Sequence, residues 1–423
     1  MCDPINPHPP VTTQRMAIML REGSWGRIAD TGAGAGYDGR MAAKRIAVLG
    51  STGSIGRQTI DVTRQLPEFF EITALAAGRN TARLAEQVAD LRPRYVYAAA
   101  RDAALDDAIE AAGATWLPMD EMAVADDVDI VLAGTGGAAG LLPTIAALEA
   151  GKPVAIANKE ALVMAGHLIR RAMIAGGGDL RPVDSEHSAI WQCLWGEEAH
   201  GIRRIMLTAS GGAFRDLDPG QLAAVTPAQA LKHPTWNMGD KITVDCATLM
   251  NKGMETIEAM WLFDVPMEAV QVVLHRESIV HSLVEFSDGS VKAQLGVPDM
   301  RLPIQCALAY PERMPEPPAP ALDLAVAGQL TFGEPDISRF PCLGLAMQSG
   351  RLGGTYPAAM AAADEVAVER FMAGEVGFLD IPGIIEGVME RHESTPDPDL
   401  EAVFAADRWA RTAAEVAPAG AGA

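Results

Sequence analysis

Two carboxylates, Asp184 and Glu186, stand two residues apart directly after a short apolar run, and a third, Glu255, follows further along the chain. Hard divalent cations such as Mg²⁺ and Mn²⁺ prefer carboxylate oxygens, and two or three carboxylates leave coordination positions for a substrate. In an extended segment, alternation would place Asp184 and Glu186 on the same side. The alternative, of equal weight from this stretch alone, is a helix start with Asp184 or Ser185 as the N-cap and Glu186 in the first turn.

Glu255 lies in a segment whose pattern predicts a helix that also carries Asn251 and Lys252. Because Asn251 and Glu255 are separated by about one helical turn, they share a face and can act on one ligand. The alternative is an exposed ion pair between Lys252 and Glu255 on a solvated face.

Lys159 follows a predicted strand, Val154–Ala157, at the start of a helix that extends to about Gly176. Ligands of parallel α/β sheets bind at the carboxyl ends of strands. The helix dipole also disfavours an ordinary surface lysine at a helix N-terminus. Lys159 is therefore predicted to meet the cofactor or the substrate.

Two further segments have the composition of a substrate site. The small-residue turn Ser210-Gly211-Gly212 follows a predicted strand, and its N–H groups and hydroxyl can surround a phosphate. His233–Gly239 is an aromatic loop bounded by proline and glycine, which is typical of a lid. The alternative for the loop is ordinary packing of Trp236.

The first strong strand, Arg45–Leu49, is followed by the glycine turn Gly50–Gly56 and a helical pattern. Strand, glycine turn and helix form the context in which a dinucleotide pyrophosphate rests on a helix N-terminus. The GxxGxxG spacing is less common than GxGxxG, so a plain strand–helix turn is an equal alternative for this motif alone.

The second strand, Glu71–Ala77, ends in Gly78-Arg79-Asn80. An NAD enzyme places an acidic residue near this point to bind the ribose hydroxyls. Arg79 instead offers a cation that can pair with a 2′-phosphate, so the predicted cofactor is NADPH. The alternative is a solvated charge at a helix start.

The 423-residue chain has a net charge of −21 and contains 49% hydrophobic and 21% charged residues. This composition suits a globular protein with a large core and argues against nucleic-acid or anionic-membrane partners. The longest uncharged run, residues 130–148, contains glycines and a proline and predicts strand, turn and helix rather than a membrane span. The five scattered cysteines form no C-x-x-C pair, which predicts a reducing, cytoplasmic environment.

Alternating strand and helix patterns predict an α/β protein with a Rossmann-like, doubly wound N-terminal domain that binds NADPH. An α+β catalytic and connective domain and a small C-terminal α-helical domain are expected to follow. The predicted boundaries are a disordered leader at 1–43, the NADPH-binding domain at 44–183, the catalytic domain at 184–309 with a lid at 231–240, a proline-rich linker at 310–335 and the helical domain at 336–423.

Within the catalytic domain the residues from Lys241 to Phe263 predict a short strand followed by a helix. Three alternating segments between Val272 and Leu295 predict an antiparallel arrangement with a turn at Asp288-Gly289.

A series of motifs follows one another along the chain, namely GSTGSIG (50–56), ANKEALV (157–163), VDSEH (183–187), SGG (210–212), HPTWNMG (233–239), MNKGMETIEA (250–259), GVPDMR (296–301) and DEVAVERF (364–371). Together they resemble the 1-deoxy-D-xylulose-5-phosphate reductoisomerase family over all of the chain except the leader. The resemblance implies NADPH- and metal-dependent conversion of 1-deoxy-D-xylulose 5-phosphate to 2-C-methyl-D-erythritol 4-phosphate, in the non-mevalonate route to isoprenoids, by a homodimer.

The resemblance also assigns residues to each ligand. NADPH would be bound by Thr52, Gly53, Ser54, Ile55, Gly78, Arg79, Asn80, Asn158, Glu160 and Gly239. Mg²⁺, Mn²⁺ or Co²⁺ would be bound by Asp184, Glu186 and Glu255. The sugar-phosphate substrate would contact Lys159, Ser185, Glu186, Ser210, His233, Cys246, Asn251, Lys252 and Glu255, of which Lys159 and Glu186 would be catalytic.

Three positions depart from the usual pattern of that family. Cys246 stands where a serine usually contacts the phosphate, and a thiol is a weak hydrogen-bond donor. His275-Arg276-Glu277-Ser278 replaces His-Pro-Gln-Ser, and Asp364 replaces a common asparagine. None of these changes removes a predicted metal ligand or Lys159.

The sequence leaves two other functions open. A two-domain NADP-dependent dehydrogenase that needs no metal would account for residues 44–180 but would leave the three carboxylates without a role. An NADPH-sensing binding protein with an inactive site is supported only by Cys246 and the altered 275–278 stretch.

Overall fold

The computed structural model describes residues 43–197, 201–236 and 238–420. The predicted leader lies outside these ranges, apart from Ala43. None of the described helices combines the length and the apolar composition needed to cross a bilayer.

A seven-stranded parallel sheet forms the N-terminal part, as the doubly wound pattern predicted. Its strands lie in the order β4-β3-β2-β1-β5-β6-β7. Strands β2 to β4 lie on one side of the central strand β1, and β5 to β7 lie on the other. This reversal of the strand order beside β1 creates the crevice where such sheets bind ligands. The strands are β1 Lys44–Leu49, β2 Phe70–Ala77, β3 Tyr95–Ala98, β4 Thr115–Trp116, β5 Ile130–Ala133, β6 Val154–Ile156 and β7 Leu180–Pro182.

Helices cover both faces of this sheet because consecutive strand residues are buried in opposite directions. In β1, Ile46 and Val48 belong to the core on one face, whereas Ala47 and Leu49 belong to the core on the other. The helices are α1 Ser54–Gln65, α2 Thr81–Leu91, α3 Ala103–Ala112, α4 Met119–Val124, α5 Leu141–Glu149 and α6 Lys159–Gly176. The short elements β4 and α4 were not predicted.

The next part of the chain builds a four-stranded mixed sheet in the order β11-β10-β8-β9. Its strands are β8 Ile202–Ala209, β9 Val270–Leu274, β10 Val280–Phe286 and β11 Val291–Leu295. The helices of this part are α7 Ser185–Cys193, which precedes the strands, and α8 Pro227–Ala230, α9 Asp240–Thr248, α10 Met250–Phe263 and α11 Arg301–Ala309, which lie among and after them.

The antiparallel prediction is correct for β10 and β11 and wrong for β9. The β10–β11 hairpin turns where the Gly289 N–H donates to the Phe286 carbonyl at 2.9 Å. Strand β9 instead pairs in parallel with β8. The long connection through α9 and α10 separates β8 from β9 and carries the chain back in the same direction, as a parallel pair requires.

Two local predictions are corrected. Asp184 and Glu186 do not lie on an extended segment, because α7 begins at Ser185 and places Asp184 at its N-cap and Glu186 in its first turn. The predicted short strand after Lys241 is helix α9. Its alternating sequence imitates a strand, but the buried residues Thr243, Val244 and Ala247 follow the helical period.

From Cys342 onward the chain is helical, as predicted, in α13 Cys342–Leu352, α14 Tyr356–Met372, α15 Asp380–Arg391 and α16 Leu400–Glu415, after the single-turn α12 Leu324–Ala327. These helices share one hydrophobic core with α10, in which Met254 and Ile257 of α10 pack with Leu343 and Ala346 of α13. The division into three domains stays a prediction.

Helices α6 and α10 approach each other closely at Gly166. A Cβ on this residue would lie 2.3 Å from the indole ring of Trp261, so only glycine permits the contact. The backbone of α6 is kinked at the adjacent Ala165, with φ −144°. The close approach places the N-terminus of α6 against the first turns of α10.

The turn after β1 is held from two sides. Gly50 has φ +93°, and a Cβ there would lie 2.4 Å from the Gly134 carbonyl oxygen. On the other side the Ser51 hydroxyl donates to Gln87 Oε1 at 2.8 Å, and Gln87 Nε2 donates to the Ser51 carbonyl at 2.9 Å. Helix α2 thereby fixes the glycine turn through buried hydrogen bonds.

Candidate active site

One cavity of about 550 Å³ lies at the carboxyl edge of the parallel sheet, between that edge and the elements β8, α9 and α10. Such an edge is where open α/β sheets bind ligands. The cavity is lined by every residue predicted to bind substrate or metal, namely Lys159, Asp184, Ser185, Glu186, Ser210, His233, Cys246, Asn251, Lys252 and Glu255.

Lys159 forms the centre of a buried ion cluster. Its Nζ lies 2.5 Å from Asp184 Oδ2 and 3.3 Å from Glu255 Oε1, and it donates to Asn251 Oδ1 at 2.9 Å. Asn251 in turn donates to Glu255 Oε1 at 2.6 Å, which confirms that the two residues share a helix face. Lys159 is only 5% exposed, so the surface-lysine reading is excluded.

A second lysine occupies the other side of Glu255. Lys252 Nζ lies 2.5 Å from Glu255 Oε2 and 2.9 Å from Glu186 Oε1. The Ser185 hydroxyl donates to the remaining oxygen of Glu186 at 2.7 Å. Glu255 thus links both lysines, and the reading of Lys252–Glu255 as a solvated pair is excluded because both are buried.

The charges of this cluster are fixed by mutual compensation. Burial alone would lower the pKa of Lys159, but Asp184 and Glu255 outweigh it and raise that pKa well above its usual value. Burial would raise the pKa of Glu186, but Lys252 and the Ser185 hydrogen bond lower it to about 2. The lysines therefore stay charged and Glu186 stays ionised at neutral pH.

Behind the cluster lies a pair that sequence reasoning missed, His187 and Glu258. His187 Nε2 donates to the Glu255 carbonyl at 2.9 Å, which leaves Nδ1 with a lone pair 3.5 Å from Glu258 Oε2. Neither Nδ1 nor either Glu258 carboxylate oxygen has a hydrogen-bond partner within the described ranges. The available signal was the spacing of Glu258, about one helical turn beyond Glu255.

The donor set of this region suits a hard divalent cation. Carboxylate oxygens of Asp184, Glu186 and Glu255 meet on the two lysines. One potential ligand atom each from Asp184, His187 and Glu258 also lies within 4.8 Å of the other two. Unpartnered, buried carboxylate oxygens beside Asp184 are a further feature that a cation would satisfy.

Cys246 lies on α9 and faces the cavity. Burial, with a smaller contribution from Glu255, raises the pKa of its thiol to about 12. The thiol is therefore protonated at neutral pH and can only donate a weak hydrogen bond.

His233 connects the predicted lid to the predicted phosphate turn. Its Nδ1 accepts hydrogen bonds from the backbone N–H groups of Thr235 at 3.1 Å and Trp236 at 2.9 Å. Its Nε2 therefore carries the proton and donates to Ser210 Oγ at 3.0 Å. The neutral imidazole holds the loop and the turn together.

The predicted cofactor residues fall into two groups. Ser54, Ile55, Glu160 and Gly239 line the cavity. The remaining members lie outside the lining, on the glycine turn (Thr52, Gly53), at the exposed end of β2 (Gly78, Arg79, Asn80) and at the N-cap of α6 (Asn158).

Asn158 is buried and its amide is engaged within the protein. Its Oδ1 caps α6 by accepting from the Ala161 N–H at 3.0 Å, and its Nδ2 donates to the Gly137 carbonyl at 2.9 Å. Asn158 therefore supports the loop after β5 that borders the cavity.

Comparison with known proteins identifies the family. The family models described as 1-deoxy-D-xylulose 5-phosphate reductoisomerase, its C-terminal domain and DXP reductoisomerase C-terminal domain match residues 46–166, 180–263 and 295–413. A 1-deoxy-D-xylulose 5-phosphate reductoisomerase from Pelotomaculum thermopropionicum is 51% identical, and the alignment covers 87% of this chain and 97% of the relative. The chain belongs to the 1-deoxy-D-xylulose 5-phosphate reductoisomerase family.

Other members agree with this family assignment. The reductoisomerase of Exiguobacterium sibiricum is 48% identical, with 87% of this chain and 97% of the relative aligned. A solved reductoisomerase from Zymomonas mobilis in complex with NADPH is 41% identical, has a TM-score of 0.81 and covers 88% of this chain and 98% of its own. A reductoisomerase solved with NADPH, fosmidomycin and magnesium is 39% identical and has a TM-score of 0.83. The match covers 88% of this chain and 97% of that structure's chain.

The reductoisomerase-family motif at 296–301 was noted in the sequence but given no role. In the structure Pro298, Met300 and Arg301 line the cavity. So do His275 and Ser278 of the altered stretch, where His275 Nδ1 is fixed by the Thr331 carbonyl at 2.9 Å. These residues escaped prediction because they come together only in the folded chain, where the segments that follow β9 and β11 reach the same cavity.

The loop–turn contact of this reductoisomerase-family chain should open in acid. Burial, with Arg215 nearby, lowers the pKa of His233 from 6.5 to about 4. A depressed histidine pKa gives stability that is complete above the unfolded-state value and is lost as the pH falls toward the folded-state value. Protonated Nδ1 can no longer accept from Thr235 and Trp236, so Trp236 fluorescence should change with a midpoint near pH 4.

Two variants control this titration. His233→Gln should show no transition in that range, and Trp236→Phe should remove the signal while the other tryptophans report any general acid unfolding. A midpoint at the ordinary histidine pKa would show that the His233 imidazole is not held as described.

Proposed function

We propose that this chain catalyses the NADPH- and divalent-metal-dependent rearrangement and reduction of 1-deoxy-D-xylulose 5-phosphate to 2-C-methyl-D-erythritol 4-phosphate. The observation that carries the proposal is the cluster of Asp184, Glu186 and Glu255 around Lys159 and Lys252, in one cavity with the glycine turn. Membership of the reductoisomerase family supports it, as do the solved relatives whose descriptions name NADPH and magnesium.

We assign Asp184, Glu186 and Glu255 as the ligands of Mg²⁺, Mn²⁺ or Co²⁺. Their oxygens are hard donors in a buried site, which suits these cations. The bound cation would act as a Lewis acid toward the hydroxy-ketone of the substrate, and bound NADPH would supply the hydride. Everything else in the reaction is assigned to side chains of this chain.

Lys159 provides fixed positive charge beside the reacting oxygens. Its ammonium group is already oriented by Asp184, Asn251 and Glu255, so it needs no rearrangement to stabilise negative charge that develops on the substrate. Glu186 contacts the same substrate region, where its depressed pKa keeps it an anion.

The phosphate is assigned to Ser210, Asn251 and Lys252, with His233, Ser185 and Cys246 beside it. Lys252 offers a compact charge and Ser210 a hydroxyl at a glycine turn, both suited to an anionic oxygen. The loop at 231–240 is proposed as the lid, and its closure would exclude water from the rearranged intermediate. The residues predicted for the cofactor on the glycine turn, at the end of β2 and on α6, with Gly239, are assigned to NADPH.

We further propose a cytoplasmic homodimer. The family resemblance supports the dimer, and the free cysteines Cys193, Cys246, Cys306 and Cys342 suit a reducing compartment. Sedimentation equilibrium should give twice the chain mass of 44.7 kDa, whereas a single-chain mass at all concentrations would reject the dimer.

The activity is tested by following NADPH oxidation with 1-deoxy-D-xylulose 5-phosphate and Mn²⁺, then with excess EDTA. Turnover is expected with the metal and not with the chelator. Glu255→Gln should lower turnover by about a hundredfold or more, because it removes one predicted ligand and unbalances both lysines. Mn²⁺ binding, measured by electron paramagnetic resonance, should weaken in the same variant.

Asp264→Asn is the matched control, because Asp264 ends the same helix in an exposed ion pair and has a positive φ that asparagine tolerates. It should retain both turnover and Mn²⁺ binding. Turnover that survives EDTA would instead support the metal-independent dehydrogenase, and NADPH binding without any turnover would support the sensor.

Cys246→Ser should improve the binding of the substrate phosphate. A hydroxyl is a stronger hydrogen-bond donor than a thiol, and a bond to a charged group contributes about 1.5 to 3 kcal/mol. The KM for 1-deoxy-D-xylulose 5-phosphate should therefore fall about tenfold while kcat changes little. An unchanged KM in Cys246→Ser, with Cys246→Ala as the comparison, would place the thiol away from the phosphate.

A further inference from the structure

A second buried ion cluster lies behind the cavity wall and includes none of the residues assigned above to metal or substrate. Lys241 Nζ lies 2.6 Å from Asp245 Oδ2 and 2.7 Å from Asp364 Oδ2. Asp245 and Asp364 are 1% and 0% exposed. Two carboxylates from different helices, α9 and α14, therefore meet on one ammonium group.

Lys241 is the cation on which both carboxylates meet. The titratable groups that act on this triad include Glu160 of α6, Cys246 of α9 and Cys342 of α13, all of them acidic groups. Glu160 adds further negative potential. Within the described ranges, Oδ1 of both aspartates has no hydrogen-bond partner. Two ionised aspartates would thus leave excess negative charge and unsatisfied oxygens in a buried site, which is costly.

We propose that Asp245 and Asp364 share one proton opposite Lys241, and that this neutralised triad is a positioning device that holds helix α9 and the lid against helix α14. The shared proton removes the excess charge, as in other pairs of close carboxylates. Burial, together with Asp364, raises the pKa of Asp245 well above its usual value, which also favours a proton on this pair.

The position of α9 explains why the triad matters for the reaction. Helix α9 begins directly after Gly239 at the end of the predicted lid, and it carries Cys246 into the cavity one residue after Asp245. Any loosening of Asp245 from α14 would therefore displace the lid end and the predicted phosphate contact together.

Helix α14 also lies near the loop after β5, which borders the cavity. A Cβ at Gly137 would lie 3.9 Å from Glu365 Oε2, and the neighbouring Gly136 lines the cavity. Asp364 of α14 therefore meets the lid-bearing helix, while the adjacent Glu365 lies near the loop after β5. The triad fixes the first of these two positions.

The deciding variant is Asp364→Asn, which keeps the shape of the side chain and removes one charge. In this variant Asp245 can ionise fully against Lys241, and the amide can donate to it. The variant is therefore expected to fold and to remain active. Asp397→Asn, at an exposed ion pair with Arg171, is the matched control.

The first measurement is chemical denaturation of the full chain between about pH 5 and about pH 9. A raised carboxyl pKa gives stability that is present below the unfolded-state value and is lost as the pH rises toward the folded-state value. The unfolding constant of the wild type should therefore rise relative to that of Asp364→Asn, by up to about tenfold per pH unit. Asp397→Asn should follow the wild type.

The second measurement is the pH profile of KM for 1-deoxy-D-xylulose 5-phosphate, and this arm rests on the proposed function. At pH values above the raised pKa of Asp245, the KM of the wild type should increase several-fold relative to the KM of Asp364→Asn. The ratio of the wild-type kcat to the kcat of this variant should change little. Lys241→Met should raise KM as well, and adding Asp364→Asn to it should partly restore the value.

The outcomes separate the two ideas. A stability difference that is independent of pH would overturn the shared proton. A pH-dependent stability difference with parallel KM profiles would leave the triad purely structural and overturn its positioning role. If no variant turns over the substrate, the proposed function fails, while the denaturation arm still decides whether the proton is shared.

Discussion

The structure depends on balancing buried negative charge. Asp184, Glu186 and Glu255 would be strongly unfavourable in a water-poor cavity without the ammonium groups of Lys159 and Lys252 among them. The lysines come from different helices, so the balance is achieved only when α6, α7 and α10 meet at one point. The close packing of Gly166 on Trp261 is what allows that meeting. The rest of the fold holds these three helices, and with them the three carboxylates and two ammonium groups, in place.

Much of the fold could be predicted because it rests on local patterns. The parallel strands are short apolar runs, and the helices between them are amphipathic. The turn after β1 has a positive φ at Gly50, which favours the glycine found there. The errors occur where local and tertiary preferences disagree. Helix α9 alternates like a strand, yet its lysine and aspartate, one turn apart, are satisfied only as a helix against α14. The sequence of strand β9 predicts an antiparallel neighbour of β10. The long connection before β9 instead allows it to pair in parallel with β8.

The motifs in the sequence marked residues far apart along the chain, and all those assigned to substrate or metal line one cavity. Their roles toward the ligands stay predictions. Residues that act on those side chains carry no such mark. His187 and Glu258 were missed because their importance comes from unpartnered buried atoms, and Gln87 because it binds the turn from another helix. Only coordinates reveal these relations.

Helix α10 has two faces with unrelated tasks. One presents Asn251, Lys252 and Glu255 to the cavity, while the other places Met254 and Ile257 in the core that the C-terminal helices complete. Because helix α10 is rigid, a displacement of its core face also moves the side chains on its cavity face. Substitutions in the C-terminal helices, remote in sequence from every charged residue of the cavity, can therefore change the geometry of the carboxylates without altering any of them.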